Sequence, residues 1–347
     1  MRYRYLPLLI LFFAGSVNIF SQNFVWDLDF NFRFDNREYE QLDFPESKTL
    51  FGVSVVPQVG MSWDNTHSIM SGFYYCKDFG TALKSYDVNI YLYYAYDSEK
   101  FKINAGLFPR NKIMGDYSNL FFSDSVKFYD LDLEGLLFQY SGKRGYAEVV
   151  MDWMGKFSER NREKFMIFGT GRYLFENLYI GLDFSMFHYA ESMRDIGVVD
   201  NHIINPYIGY KKRQLWFFDM LDVKAGWIEA YQRDRLQSKS VDFRNGFHFD
   251  LKVEKKRVGV HNSIYIGENL MPYYNSFDSS GKPYNTSLYY GERFYGKDNG
   301  IYNRTELYWN PNIAKGLDFK ISYIIHYDGK NIGSQQLLTL IIDLNKH

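Results

Sequence analysis

A histidine and a serine two positions apart form the pattern in this sequence with the clearest potential for covalent chemistry. His261 and Ser263 lie in an alternating segment, and residues i and i+2 of a β-strand point to the same face. Such a histidine can take the proton of the serine hydroxyl if a carboxylate orients the imidazole ring, which turns the serine into a nucleophile for ester hydrolysis. The simpler interpretation is a pair of polar residues on a strand wall.

The most regular strand is predicted near the N-terminus, from Asn23 to Asp35. Apolar and polar residues alternate there over about ten positions, roughly the length with which a tilted strand crosses a bilayer. We therefore predict a membrane-spanning strand, the first of a closed barrel. The apolar face carries Phe24, Trp26, Leu28, Phe30, Phe32 and Phe34, and the polar face carries Asp27, Asp29, Asn31, Arg33 and Asp35.

The composition favours a barrel over spanning helices. Aromatic residues make up 20% of the 347 residues, including 31 tyrosines and 31 phenylalanines, whereas mean hydropathy is −0.36. A spanning helix needs a run of about 20 apolar residues, and the sequence has none. A barrel instead alternates lipid-facing and lumen-facing residues between aromatic girdles.

Charge and cysteine content exclude two further classes. The net charge of −1 gives no excess of basic residues that would bind nucleic acid. A single cysteine, Cys76, excludes an intramolecular disulfide framework.

Residues 1–21 are predicted to be a secretory signal. Arg2 and Arg4 precede an apolar run from Leu6 to Ala14, and the segment closes near Ser21. The run is short for a transmembrane anchor, and the absence of a cysteine at the cleavage point excludes a lipoprotein anchor. Residues 22–347 then form a single barrel domain, exported to the bacterial outer membrane.

Period-two segments separated by turn residues continue to the end of the chain. We predict sixteen strands and leave 288–295 in a loop, because single-chain bacterial barrels have an even strand count. The predicted spans are 23–35, 49–63, 67–77, 86–97, 100–110, 133–141, 145–154, 164–175, 177–189, 201–211, 221–232, 241–254, 257–268, 300–310, 316–327 and 334–345.

The connections predict the orientation, since barrels of this class have short periplasmic turns and longer extracellular loops. With the N-terminus in the periplasm, connections after odd strands are extracellular. Three of these are long, namely 36–48, 111–132 and 269–299. The segment from Lys212 to Met220 does not fit, because it is long where a short turn is expected.

The alternation places charges of both signs on the inner face. A lysine or arginine at the midplane of the lipid face costs about 2 to 4 kcal/mol, so the register that points charges inward is preferred. A barrel of about 16 to 18 strands leaves an aqueous channel. The predicted pore-lining residues are Asp27, Asp29, Asn31, Arg33, Asp35, Arg110, Asp152, Asp183, Arg244, His248, Asp250, Lys252, Asp318 and Lys320.

Two long loops bear on the width of this channel. The loop 111–132 is predicted either to fold into the lumen and constrict it or to lie solvated on the surface. The tyrosines of the loop 269–299 could stack on sugar rings, or pack together over the mouth. The constriction candidates are Asp116, Phe121, Phe122, Asp124, Tyr129 and Asp130.

Several short motifs carry a family resemblance. The GLFPR run at Gly106 to Arg110, Asp152 with Trp153, and Arg162 with Glu163 resemble the porin-like outer-membrane barrels of the Bacteroidetes. More distantly, the chain is similar to alginate-export and carbohydrate-selective porins. The resemblance implies passage of small solutes, with Arg110 and Asp152 in the lumen or paired with each other. The chain ends in Asn345, Lys346 and His347, whereas many such barrels end in an aromatic residue.

Together these observations predict a porin-like channel for small hydrophilic solutes such as sugars or oligosaccharides, and not an enzyme. One alternative is a barrel enzyme acting on lipid A or phospholipid through His261 and Ser263, because that pair is similar to the dyad of lipid A deacylases. In those barrels, however, the dyad faces lipid. Another is an exported β-rich binding protein. No cofactor and no metal are expected, since the seven histidines are scattered. The expected partners are outer-membrane lipid, the solute and the assembly machinery, with homo-oligomerisation left open.

Overall fold

The computed structural model describes residues 22–42, 47–82, 88–297, 300–311 and 313–346, and the predicted secretory signal lies outside them. Sixteen antiparallel strands close into one barrel in which each strand pairs with the next in sequence and the last pairs with the first. The predicted fold is confirmed. No helix in the described part of the chain is long and apolar enough to cross a membrane. The strands are β1 (Asn23–Glu38), β2 (Lys48–Trp63), β3 (His67–Asp78), β4 (Val88–Asp97), β5 (Phe101–Pro109), β6 (Asp132–Gly142), β7 (Gly145–Gly155), β8 (Lys164–Phe175), β9 (Leu178–Tyr189), β10 (Val199–Leu215), β11 (Phe218–Asp234), β12 (Asp242–Lys255), β13 (Val258–Gly267), β14 (Ile301–Trp309), β15 (Leu317–Tyr327) and β16 (Ile332–Lys346).

The apolar face of the barrel wall is exposed and the polar face is enclosed, the reverse of a sheet in a soluble protein. In β1, Phe24 is 62% exposed while Asp27 is 3% exposed, and β4 shows the same inversion with Ile90 outside and Tyr91 inside. Apolar side chains therefore cover the outer surface and polar ones are enclosed, as expected for a wall that contacts lipid. The predicted assignment of the two faces is confirmed in β1, and β4 follows the same pattern.

The barrel closes along a long seam between β1 and β16. Residues from Trp26 to Glu38 pair with residues from Lys346 back to Ser334, and Phe32 faces Leu340. Closure leaves no edge strand among the described strands, and an open edge is not tolerated in hydrocarbon.

Most connections alternate in length as predicted, except that the connection 310–316 after β14 is longer than the connection 328–331 after β15. The segment after β10 needs a correction. β10 continues to Leu215 and β11 begins at Phe218, so these strands are joined by a two-residue turn of Trp216 and Phe217 rather than by the segment 212–220. The apolar run Leu215–Phe218 hides this turn in the sequence because it breaks the period of two. Gln214 and Trp216 adopt positive φ angles of 54° and 55° at the turn, and Trp216 is exposed.

Two extracellular connections fold over and into the barrel. The inner loop, Arg110–Leu131, contains a short helix, α1 (Asp124–Tyr129), whose first turn is capped by the hydroxyl of Ser123. Its Phe122 packs against Phe168 on the inner face of β8, with ring centroids 5.0 Å apart. The mouth loop, Glu268–Lys297, stacks Phe294 on Tyr302 at 4.6 Å. The core of the molecule is thus formed between these loops and the wall.

Candidate functional site

The predicted pore-lining residues all lie on strands or loop ends of the barrel, most of them with enclosed side chains. Whether they line a path for solutes stays a prediction. The buried residues are Asp27, Asp29, Arg33, Asp35, Arg110, Asp152, Asp183, His248 and Asp250. The partly buried residues are Asn31, Arg244, Lys252 and Lys320, and Asp318 is exposed.

The predicted constriction residues sit on the inner loop, which lies inside the barrel. Phe121 and Phe122 are buried, Asp124 faces the inner wall, and Tyr129 donates a hydrogen bond to Asp78 at 2.7 Å. Asp116 is exposed. The loop therefore occupies the lumen, and its role in setting a pore width stays a prediction.

One glutamate that the sequence reasoning missed holds the inner loop against the wall. Glu148 on β7 accepts hydrogen bonds from the backbone N–H groups of Met114 at 2.6 Å and Gly115 at 3.2 Å. It also accepts from the Tyr117 hydroxyl at 2.9 Å and from Gln139 at 2.6 Å. The available signal was its inward position on β7, two places from Val150 and four from Asp152.

The first residues of the inner loop bind carboxylates of the wall and of the end of the loop. The Arg110 guanidinium lies 2.8 Å from Asp130 and 3.5 Å from Asp152, so the predicted pairing of Arg110 with Asp152 is present inside the barrel. Further along, Asn111 donates to Asp29 at 2.6 Å, and Lys112 forms an ion pair with Asp27 at 2.5 Å.

Three carboxylates gather near the N-terminal end of β1. One oxygen each from Asp27, Asp29 and Asp343 lies within 4.8 Å of the others. The Lys112 ammonium and the Asn111 amide already bind two of them. A cation in this cluster would have to compete with Lys112, and the absence of a metal centre stays a prediction.

A network of buried charges connects α1 to β1 and β14. Asp35 accepts hydrogen bonds from Arg33 at 2.7 Å and from Arg37 at 2.8 Å, and Arg304 lies 3.0 Å from Glu306 and 3.6 Å from Asp124. Burial alone would raise the pKa of the Asp124 carboxyl, but Arg304 and Arg33 outweigh it and hold that pKa well below its usual range. The ionised Asp124 carboxylate therefore anchors the helix among the guanidinium groups of the wall.

Ion pairs contribute to holding the mouth loop against the rest of the barrel. Near its end, Lys297 forms an ion pair with Asp328 in the connection between β15 and β16. Near its middle, Asp278 lies 3.4 Å from Arg162. Tyr284, Tyr289 and Tyr295 are buried, so these tyrosines pack over the mouth rather than standing free to stack on sugars.

The predicted serine and histidine lie on the inner face of β13, but the histidine in contact with the serine is a different one. Ser263 Oγ is 3.0 Å from His248 Nε2 on β12 and donates to Asp250 at 2.5 Å. His261 instead approaches Asp250 at 3.4 Å. Asp250 faces Ser263 directly across the strands, and His248 is the diagonal neighbour two residues before it, so both partners of the serine come from β12 and not from its own strand.

The orientation of this cluster limits its chemistry. His248 is 1% exposed and Ser263 is 9% exposed, while Lys224 lies 3.0 Å from Asp250 and balances its charge. His248 Nδ1 is 3.6 Å from the same carboxylate, beyond hydrogen-bonding distance. A serine, a histidine and a carboxylate are therefore together, in the lumen and not on the lipid face.

Solved barrels with a similar fold include several outer-membrane proteins. OmpT of Vibrio cholerae, as a mutant lacking loop L8, has a TM-score of 0.54 at 9% identity, covering 94% of this chain and 100% of that chain. OprD of Pseudomonas aeruginosa has a TM-score of 0.52 at 11% identity over 93% of this chain and 94% of that chain. OpdK of the same species has a TM-score of 0.51 at 10% identity over 93% and 99%. At these identities the likeness shows the fold alone. No curated protein sequence matches the chain significantly.

A family model described as lipid A 3'-O-deacylase-type matches residues 23–346. The name is that of an enzyme family, so the prediction that the chain is not an enzyme is wrong. The resemblance to porin-like outer-membrane barrels holds for the fold, and the bacterial group attached to it stays a prediction. Because the match runs from β1 through β16, the chain belongs to the lipid A 3'-O-deacylase-type family.

Proposed function

We propose that the protein is an outer-membrane barrel that passes small hydrophilic solutes, sugars among them, through a narrow lumen. The observation that carries this proposal is the charged inner wall, which keeps water contact on its periplasmic side. The side chains of Lys252, His261 and Lys320 are 42%, 35% and 32% exposed. Acidic side chains lie beside these basic ones, as Glu254 does beside Lys252. Because the lumen carries charges of both signs, we expect weak ion selectivity.

The inner loop and the mouth loop fill part of the same lumen. The inner loop extends from the extracellular end to Asp27 and Glu148, which lie near the periplasmic ends of β1 and β7. Glu148 holds the inner loop through three hydrogen bonds, and a solute crossing the barrel has to pass between this loop and the wall. Loosening the loop should widen the passage without altering the strands.

Planar-bilayer recording tests this proposal. Wild-type protein should give discrete conductance steps, and Glu148→Ala should give larger or noisier steps because the inner loop loses its anchor. Glu134→Ala is the matched control, since Glu134 is exposed on the outer face of β6 and does not hold the loop. A liposome-swelling series over sugars and amino acids then defines the solute. Silence from both wild type and Glu148→Ala would refute passage.

A second candidate function is ester hydrolysis at Ser263, and the contact between Ser263 and His248 favours it together with the family. When the hydroxyl hydrogen turns from Asp250 to His248, His248 Nε2 can take the proton as Ser263 Oγ attacks the ester carbonyl. The alcohol leaves with that proton, and water hydrolyses the acyl-serine to the free acid. Because Ser263 faces the lumen, the ester has to enter the barrel.

Fatty-acid release from lipid A and from a water-soluble ester tests this second function. We expect Ser263→Ala and His248→Gln to abolish release, and His261→Gln to retain most of it because the His261 imidazole approaches Asp250 whereas Ser263 Oγ contacts His248. Release that survives in Ser263→Ala would exclude the serine mechanism. Conductance is a separate measurement, so each function can fail alone.

A further inference from the structure

The outer surface of the barrel carries a groove near the short turns of β6–β9. Its volume is about 770 Å³, within the range of about 300 to 1,000 Å³ that ligand sites occupy. The floor is β7, whose outward positions Gly145 and Ala147 carry almost no side chain. Tyr140 on β6 and Tyr173 on β8 rise on either side. The groove is therefore a gap in an otherwise aromatic and aliphatic wall.

The walls of this groove are held in place by neighbouring rings on the outer surface. Tyr140 packs against Phe101, with ring centroids 5.2 Å apart, and Tyr173 packs against Phe175 at 4.7 Å. Leu182, which extends the apolar lining, is 41% exposed. A preformed apolar groove on this face contacts the hydrocarbon of the bilayer.

The end of the groove at the turn is basic. Lys143 and Arg144 form the two-residue turn between β6 and β7 and are exposed, and neither makes an ion pair with any residue that the structure describes. The Tyr140 hydroxyl points to the same end, since a Cβ placed on Gly142 would lie 2.8 Å from it. Two cations and a hydroxyl donor thus stand where the apolar lining ends.

We propose that this groove binds a glycerophospholipid of the periplasmic leaflet, with an acyl chain along Gly145 and Ala147 and the phosphate at Lys143 and Arg144. Charge complementarity identifies the ligand, because juxtamembrane basic residues attract anionic headgroups and the adjoining groove accepts a hydrocarbon chain. The orientation follows from the short turns, which face the periplasm in this class of barrel. The proposal requires insertion in a membrane and is independent of solute passage and ester hydrolysis.

Native mass spectrometry of the full-length barrel, released from nanodiscs of phosphatidylethanolamine and phosphatidylglycerol, tests this site. Wild-type protein should retain one phospholipid. Lys143→Gln with Arg144→Gln should lower its affinity about thirtyfold, and Ala147→Trp should abolish retention by filling the floor. Lys256→Gln with Arg257→Gln removes the same charge from another two-residue turn, between β12 and β13, and should leave retention unchanged.

Three results would overturn the proposal. The wild type could retain no more phospholipid than Ala147→Trp, or the control turn could lower retention as much as the groove turn does. In nanodiscs that also contain lipid A, preferential retention of lipid A would reject a phospholipid of the periplasmic leaflet. Unheated electrophoretic mobility shows whether each variant is folded, and a folding failure of Ala147→Trp leaves the turn variants as the decisive comparison.

Discussion

At the scale of single residues, the inner face of β1 depends on one carboxylate between two guanidinium groups. The Asp35 side chain is fully buried, and Arg33 and Arg37 both bind its Oδ2 atom, while Gln335 donates to Oδ1 at 2.7 Å. Asp35→Asn removes the carboxylate that both buried guanidinium groups bind. We expect the free energy of unfolding to fall by about 3 to 5 kcal/mol, measured by urea titration in detergent micelles.

The control for this substitution is an exposed pair of the same chemistry. Asp97 and Lys102 lie 2.8 Å apart with more than half of each side chain exposed, and exposed pairs contribute about 0 to 1 kcal/mol. Asp97→Asn should therefore leave the unfolding midpoint nearly unchanged. Equal effects of the two substitutions would show that Asp35 is not electrostatically isolated from water.

The alternation of the sequence predicted only part of this arrangement. It predicted that Asp35 and Arg33 point inward, since residues two apart share a face. It did not predict Gln335, because that contact depends on the register of β16 against β1, set by closure 300 residues later. The same limit applies to Ser263, whose partner His248 lies on another strand. Cross-strand pairs require a register, and a period of two does not supply one.

At the scale of elements, the strands were predictable and the positions of the loops were not. Strand length follows from bilayer thickness and strand number from closure, which are constraints that every barrel shares. The course of the inner loop instead depends on particular acceptors such as Glu148 and on particular cations such as Arg304. Those anchors lie on β7 and β14, far from the loop in sequence, so the loop's own composition left surface and lumen positions equally open.

The mouth loop should loosen in acid through Asp328. Burial alone would raise the pKa of this carboxyl, but the hydrogen bond from Lys297 and those from the N–H groups of Asn331 and Lys330 hold its pKa below the ordinary 3.8. A carboxyl with a lowered folded pKa stabilises above its unfolded pKa, and that contribution is lost as pH falls through the folded value. We therefore expect faster hydrogen–deuterium exchange in the mouth loop only below about pH 4.

The matching substitution is Asp328→Asn. It should accelerate exchange in the mouth loop at neutral pH and remove this acid transition, because the partner of Lys297 no longer ionises. Asp318→Asn, at an exposed position of β15, serves as the control and should keep the wild-type profile. An acid transition that persists unchanged in Asp328→Asn would assign it to another carboxyl.

At the scale of the whole molecule, the barrel combines a lumen partly filled by two loops with an inner wall that keeps water contact along β12, β13 and β15. This arrangement depends on closure between β1 and β16. Facing cysteines in a Cys76→Ser background can test the closure, since Phe32 and Leu340 are directly paired. Phe32→Cys with Leu340→Cys should form a disulfide on mild oxidation, because facing Cβ atoms lie about 4.5 to 5.5 Å apart. Phe32→Cys with Leu344→Cys should not, since Leu344 faces Leu28. Non-reducing electrophoresis after heating measures the cross-link, and formation by the second pair alone would show that the strands close in a different register.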